Sequence, residues 1–238
     1  MGYAKSKFPI EKVGVVIVAA GSSRRMEGVD KIFAPILGVP LIAHTVEAFE
    51  RCPIIDVVVL VVASSSLAKA KSMALDRGWR KVVEICCGGD HRQDSVKLGL
   101  DALPDCSWVL IHDGARPCVD QNLLATGLEA ARWTGAAVPV VPLTDTVKRL
   151  TSRGVVRSGP VRETLWAVQT PQVYRWSLIR DAYRHPERIV TDDSSLLYES
   201  GIKVRAYAGS SLNIKVTTLT DMVVAEGVIK ALGMEEST

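Results

Sequence analysis

Apolar positions along the chain fall into two alternating rhythms. Val13, Val15, Val16, Ile17 and Val18 form a nearly unbroken β-branched run, the pattern of a strand covered on both faces, as in a parallel sheet. Strands of the same kind are predicted over 55–63, 81–87, 108–111 and 136–141. Between them the spacing lengthens. Leu41, Ile42, Thr45, Val46 and Phe49 predict a helix over 40–52, with Pro40 suited to its first turn. Further helices are expected over 64–77, from about Ser95 to Leu103, and over 120–133. Towards the C-terminus the pattern predicts helices over 174–183 and 194–199, a strand over 203–208 and a closing helix over 219–232.

Strand and helix alternate through the first 141 residues. That alternation predicts an α/β fold, a Rossmann-like, mostly parallel sheet flanked by helices, formed by residues 1–238 as a single domain. In such sheets ligands bind beyond the carboxyl ends of the strands. The rhythm breaks at Pro142. Residues 143–150 and 155–157 flank Ser152-Arg153-Gly154, a hairpin pattern with a glycine turn. A lone hairpin is marginal in water, so this β-arm at about 142–163 is expected to pack on something else, such as a second subunit.

Composition narrows the classes little further. The chain is 47% hydrophobic with a net charge of +3. Lys and Arg are dispersed, so charge alone does not suggest a nucleic-acid surface. Cys52, Cys86, Cys87, Cys106 and Cys118 lack C-x-x-C spacing and read as reduced thiols of a cytoplasmic protein. The N-terminal stretch lacks the apolar core of a signal peptide, and no apolar run is long enough to span a bilayer.

The chemistry clusters after strands. The first strand ends in Ala19-Ala20-Gly21, followed by Ser22-Ser23, Arg24-Arg25 and then Lys31. Small residues let main chain approach a ligand, successive N–H groups form an anion-binding concavity, and the cations suit phosphate oxygens. The same residues also suit a plain turn with solvated arginines. The loop is neither a P-loop, since Met26 stands where the second glycine is needed, nor a dinucleotide fingerprint, since Ser23 and Met26 fill glycine positions. After the third strand, Gly88-Gly89 permits close approach and Ser95 offers a hydroxyl near a helix start, or the stretch is a capped turn. After the fourth, Asp113 is placed to hold Mg²⁺ beside phosphates, or to pair with Arg116. Thr191-Asp192-Asp193 reads as a helix cap with acidic first-turn residues.

Six segments together resemble the sugar-phosphate nucleotidyltransferases, from Val13 to about Ile229. Residues 19–31 are similar to the family's A-[AG]-G-x-G-x-R-M and P-K loop, with Ser23 in place of its second glycine and Asp30 in place of its proline. Residues 88–100 match G-G-x-x-R-x-x-S-V-x-x-G-L, 112–117 match H-D-[AG]-A-R-P, and 142–148 match P-x-x-D-T-x-K. Gln169 to Gln172 is the family's Q-T-P-Q, and 213–221 match N-I-K-[IV]-T…D.

The resemblance implies a Mg²⁺-dependent cytidylyltransferase whose partners are CTP and a sugar-alcohol phosphate. It implies catalytic roles for Arg25, Lys31 and Lys215, with Asp113 as metal ligand. CTP would be bound by Ala19, Ala20, Gly21, Ser22, Ser23, Gly89, Asp90, Ser95 and Gly114. The acceptor would be bound by Arg116, Thr146, Arg162, Thr170, Thr191 and Lys215. The arm would exchange between protomers of a homodimer with a shared site, and neither nucleic acid nor membrane is expected as a partner. Leu165-Trp166-Ala167-Val168 before Q-T-P-Q and the HDGARP form favour 2-C-methylerythritol 4-phosphate as acceptor over ribitol 5-phosphate. A non-catalytic nucleotide-binding protein is the alternative of a different class.

Overall fold

In a computed structural model of the chain, residues 11–21, 31–184, 189–190 and 192–233 are described. Strand β1 (Val13–Ala19) is followed by a short hairpin of β2 (Pro35–Ile36) and β3 (Val39–Pro40), then α1 (Leu41–Glu50). Next come β4 (Val57–Val62), α2 (Leu67–Asp76), β5 (Val82–Cys87), α3 (Arg92–Ala102), β6 (Trp108–Asp113), α4 (Gln121–Ala131) and β7 (Ala136–Pro142). Beyond β7 lie β8 (Arg149–Leu150), β9 (Val156–Arg157), β10 (Trp166–Val168), β11 (Gln172–Arg175), α5 (Trp176–Ala182), α6 (Asp193–Glu199), β12 (Arg205–Ala208) and α7 (Leu219–Ala231).

The main sheet runs β10-β7-β11-β6-β1-β4-β5, with β12 also paired to β7. Pairs β1–β4, β1–β6, β4–β5 and β7–β12 are parallel, and β10 and β11 run antiparallel to their neighbours. The unbroken β-branched runs are explained by two cores, one on each face. Val15, Ile17, Val58, Leu60 and Leu110 pack on one side with α1, α2 and α4, whereas Val16, Val59, Val61, Val109 and Ile111 pack on the other with α3, α5 and α6. The period of two sends alternate residues to opposite faces, so a strand that must be apolar on both has no polar position to spare. A third cluster seats α7 against Ile36, Leu41, Cys118 and Val216.

One stretch departs from the sequence pattern. Residues 174–183 were expected to be wholly helical, but Gln172–Arg175 is a strand inserted between β6 and β7, and the helix starts at Trp176. Val173 and Tyr174 are fully buried there, and so short an apolar run carries no period that separates strand from helix.

The arm has little structure of its own. Arg149 and Leu150 pair with Arg157 and Val156 across a turn in which Gly154 has φ +76°, a conformation that favours glycine. Leu150, Val155, Val156 and Val161 are exposed. Among the described residues, no helix is long and apolar enough to cross a membrane.

Gly99 sets how closely α3 approaches the sheet. A Cβ there would collide with Val16 Cγ1 and sit 2.8 Å from Val61 Cγ2. Gly99→Ala improves helix propensity, but both collisions are with branched side chains of central strands, so overpacking outweighs it. The expected result is a loss of about 1–3 kcal/mol in urea unfolding; an unchanged or higher midpoint would mean that the helix can back away without cost.

Candidate active site

The carboxyl ends of β1, β5 and β6 open onto a cavity of about 510 Å³. Its wall includes Ala19 at the end of β1 with Ala20 and Gly21 after it, Gly89, Asp90 and Ser95 after β5, Asp113 at the end of β6, and Lys31 and Lys215 from distant parts of the chain. Small residues are needed where these turns meet. A Cβ on Gly88 would lie 2.5 Å from Ser95 Oγ and would also collide with Ala20 Cβ. Gly88 N–H instead donates to Val62 O at 2.8 Å, continuing the β4–β5 ladder. Ser95 shapes the turn from inside: its hydroxyl accepts from Gly89 N–H at 3.2 Å and donates to His91 O at 3.2 Å.

Asp113 is the electrostatic centre. Its Oδ1 accepts from Arg92 Nε at 3.1 Å, and its Oδ2 lies 2.8 Å from Lys215 Nζ and 3.8 Å from Arg116 Nε. Burial pushes the carboxyl up, but Arg92, then Lys215 and Arg116, outweigh it and hold it far below the usual carboxylate range. Asp113 is therefore an ion at any working pH. Arg92 is shared: its other arm donates to Asp193 Oδ2 at 2.8 Å, and Asp193 also accepts the Tyr183 hydroxyl. Lys31 Nζ donates to Val216 O at 3.3 Å, which ties it to the main chain of the residue after Lys215. Cations outnumber carboxylates around the cavity, the balance a polyphosphate requires.

Lys215 is held in place by the Q-T-P-Q segment. Gln169 Nε2 donates to Ser210 O at 2.9 Å and its Oε1 accepts from Ser210 N–H at 3.2 Å. Asn213 Nδ2 donates to Thr170 O at 2.7 Å, Arg116 donates to Asn213 O at 2.7 Å, and Val216 N–H donates to Ala115 O at 2.8 Å. The Thr170 hydroxyl accepts from Asp113 N–H at 3.0 Å and lies 3.1 Å from His112 Nδ1. His112 Nε2 lies 3.1 Å from Arg116 O, which can only accept. The proton therefore sits on Nε2, and Nδ1 accepts the Thr170 hydroxyl. Three motifs distant in sequence are thus locked by one directional chain of hydrogen bonds.

The structure brings together Ala19, Ala20, Gly21, Lys31, Gly89, Asp90, Ser95, Asp113 and Lys215 around the cavity. Gly114, Arg116 and Thr170 lie behind that wall: a Cβ on Gly114 would meet Ala19 Cβ at 2.8 Å and Ile42 Cδ1 at 2.9 Å, and Arg116 and Thr170 are buried. Thr146 and Arg162 belong to the arm and do not line the cavity; Arg162 donates to Thr144 O at 2.9 Å and pairs with Glu163. Ser22, Ser23, Arg25 and Thr191 lie outside the described residues. Among the described residues, no group of three or more His, Cys, Asp or Glu could hold a metal alone. In the sequence Arg92 has only a place in the G-G-x-x-R motif, Asp193 reads as an acidic first-turn residue of a helix, and Tyr183 has no role. The available signal for Arg92 was a cation at the first position of a helix after a strand; the Asp193–Tyr183 pairing had none.

The family model for "IspD: 2-C-methyl-D-erythritol 4-phosphate cytidylyltransferase" matches residues 13–231. Among curated proteins, 2-C-methyl-D-erythritol 4-phosphate cytidylyltransferase of Dehalococcoides mccartyi is 48% identical over 92% of this chain and 97% of its own length. The protein of the same name from Alkaliphilus oremlandii is 39% identical over 93% and 96%. Among solved structures, 4-diphosphocytidyl-2C-methyl-D-erythritol synthase of Anaerococcus prevotii superposes with a TM-score of 0.81 at 27% identity, covering 93% of this chain and all of that one. The Thermus thermophilus 2-C-methyl-D-erythritol 4-phosphate cytidylyltransferase gives 0.74 at 31% identity, covering 90% and 98%.

The locked His112 makes a pH prediction. Burial dominates and lowers its pKa to about 4, from an unfolded value of 6.5. Between those values the unfolded chain binds a proton that the folded chain refuses, so stability should fall as pH drops through that window, by on the order of 3 kcal/mol in total. Urea unfolding from pH 7 to pH 4 measures the slope. The part due to His112 should vanish in His112→Gln; an identical slope in that variant would assign the loss to other groups.

Proposed function

The chain belongs to the 2-C-methyl-D-erythritol 4-phosphate cytidylyltransferase family, and from that premise we propose how its cleft works. The reaction joins the cytidylyl group of CTP to 2-C-methyl-D-erythritol 4-phosphate, giving 4-diphosphocytidyl-2-C-methyl-D-erythritol and pyrophosphate in non-mevalonate isoprenoid biosynthesis. The carrying observation is that Arg92 and Lys215 meet the ionised Asp113 in one cavity that Lys31 also lines. That arrangement favours phosphoryl chemistry over simple nucleotide storage, and the names of the most similar relatives favour the erythritol acceptor over ribitol 5-phosphate.

An acceptor phosphate oxygen attacks the α-phosphorus of CTP; the new P–O bond forms as the bond to the β-phosphate breaks, and pyrophosphate leaves. The nucleophile is already an anion, so the protein supplies position and electrostatics rather than proton transfer. Charge grows on the α-phosphate oxygens and on the leaving pyrophosphate. Lys31 and Arg25 are the cations assigned to it, with the main chain of Ala19 to Ser23 around the phosphates. The Gly89, Asp90 and Ser95 turn is assigned to the base and ribose, with Gly114 packed behind. Arg116, Thr146, Arg162, Thr170, Thr191 and Lys215 are assigned to the acceptor. Thr170 and Arg116 act there chiefly by holding the turn that carries Lys215.

The donor set fits a Mg²⁺ ion only in company with substrate. Asp113 is an ionised hard-oxygen ligand whose Oδ2 is held by a partly exposed lysine, and Mg²⁺ prefers one or two carboxylates with phosphate oxygens and water. Asp113 would hold it, and the ion would neutralise phosphate charge.

The exposed apolar residues of the arm suit a second copy of the chain as their cover, with Arg162 reaching the partner's cleft. All five cysteines are free, which supports the cytoplasm as the compartment.

Pyrophosphate release from CTP and Mg²⁺ should be fast with 2-C-methyl-D-erythritol 4-phosphate and slow with ribitol 5-phosphate; the reverse preference would move the chain to the other acceptor. Lys31→Ala and Arg25→Ala should each lower kcat by about 10²–10³, and wild-type kcat with a raised KM would make the residue a ground-state binder. The shared site is tested by refolding Lys31→Ala and Arg162→Ala chains together. Random pairing makes about half the dimers mixed, each with one intact site, so activity should return to about a quarter of wild type. Activity that stays at the level of the separate variants, with mixed dimers confirmed by mass, places Arg162 in its own chain's site.

A further inference from the structure

We propose that Arg92 is a positioning residue for cytidylyl transfer, holding the Asp113 carboxylate with Oδ2 turned toward Lys215 and the cleft, and that Asp193 and Tyr183 serve the reaction by fixing Arg92. The inference rests on the reading of the cleft given above.

The geometry is a one-way chain from the helical layer to the site. Arg92 is the first residue of α3, and its guanidinium spans two carboxylates that no local turn relates: Asp113 Oδ1 at 3.1 Å and Asp193 Oδ2 at 2.8 Å. Asp193 opens α6 and is 1% exposed; its other oxygen takes the hydroxyl of Tyr183, just past α5. Neither Asp193 nor Tyr183 lines the cavity. The planar fork of an arginine can serve two carboxylates at once, which the point charge of a lysine ammonium does with less geometric control.

The two oxygens of Asp113 are held unequally. Oδ1 is held by a guanidinium that is itself tied to a buried acid. Oδ2 is held by Lys215, whose side chain is 43% exposed and carries no second carboxylate contact among the described residues. Without Arg92, the carboxylate is left with Lys215 and Arg116, both on the Oδ2 side, and its rotation about the Cβ–Cγ bond is set from one oxygen alone. Groups that orient a ligand from behind typically contribute 10–100-fold to affinity or rate. A buried Asp–Tyr pair also costs desolvation that core packing does not require, and fixing the angle of Arg92 gives that burial a purpose.

The test uses full-length protein, CTP, Mg²⁺ and 2-C-methyl-D-erythritol 4-phosphate, with a melting temperature for every variant. Arg92→Gln should lower kcat by about 10–100-fold with KM for CTP little changed, and Arg92→Lys should recover only part of that loss. Tyr183→Phe, which keeps the ring and removes one hydroxyl outside the cavity, should lower kcat in the same direction by less; it carries the test should Arg92→Gln fail to fold. In an Asp113→Asn background, Arg92→Gln should cost little more, because its route to the reaction is gone. A full additional loss in that background, a rise in KM for CTP alone, or melting temperatures that drop while kcat stays intact would each overturn the proposal. Wild-type protein that releases no pyrophosphate would overturn the functional reading and this inference together; active wild type with an intact Arg92→Gln variant overturns this inference alone.

Discussion

The site depends on one buried negative charge. An ionised carboxylate at the end of a central strand is costly unless its charge is met at close range, and Asp113 is met by Arg92, Lys215 and Arg116. Those partners arrive from α3, from the segment before α7 and from the turn after β6. A pair formed from either side alone would leave an oxygen of Asp113 unmatched. In the reading proposed above, the cations that meet this carboxylate are the ones that would meet a polyphosphate.

That constellation requires a rigid frame, which the two-faced sheet supplies. With Val15 and Ile17 on one core and Val16 on the other, β1 cannot slide or flip without exposing one apolar row. Its end at Ala19 is thereby fixed against the turn at Gly88 and the end of β6. Gly99 and Gly114 act in the same frame, as places where two elements approach more closely than any side chain allows. The Q-T-P-Q segment adds a clamp of side-chain amides on the Ser210–Asn213 turn, so the placement of Lys215 rests on buried hydrogen bonds rather than on the stiffness of a loop. Such bonds are expensive to leave half-made.

The arm is the exception to this rigidity. It places exposed valines and a leucine on a two-stranded ribbon too small to bury them. Among the described residues the arm joins none of the three buried clusters, and the second copy proposed above would cover it.

Much of this is legible in the sequence. The alternation of β-branched runs and helical periods determined the α/β class and the parallel centre, because both are local rhythms set by backbone geometry. The motifs after β1, β5 and β6 were readable for the same reason: a strand's end followed by small residues and charge is a local signature, and Lys31 and Asp113 do line one cavity, as do Asp90 and Lys215, which came from the family resemblance. Three matters were decided only by tertiary structure. Gln172–Arg175 became a strand because a slot between β6 and β7 buried Val173 and Tyr174, a neighbour-dependent outcome that no period encodes. Arg116 and Thr170 moved behind the wall because His112 and Asn213 took their hydrogen bonds. The tie from Asp113 through Arg92 to Asp193 and Tyr183 joins residues up to 101 positions apart along each link. Long-range charge pairing leaves no trace in local composition, because it depends on which surfaces the packed helices bring face to face.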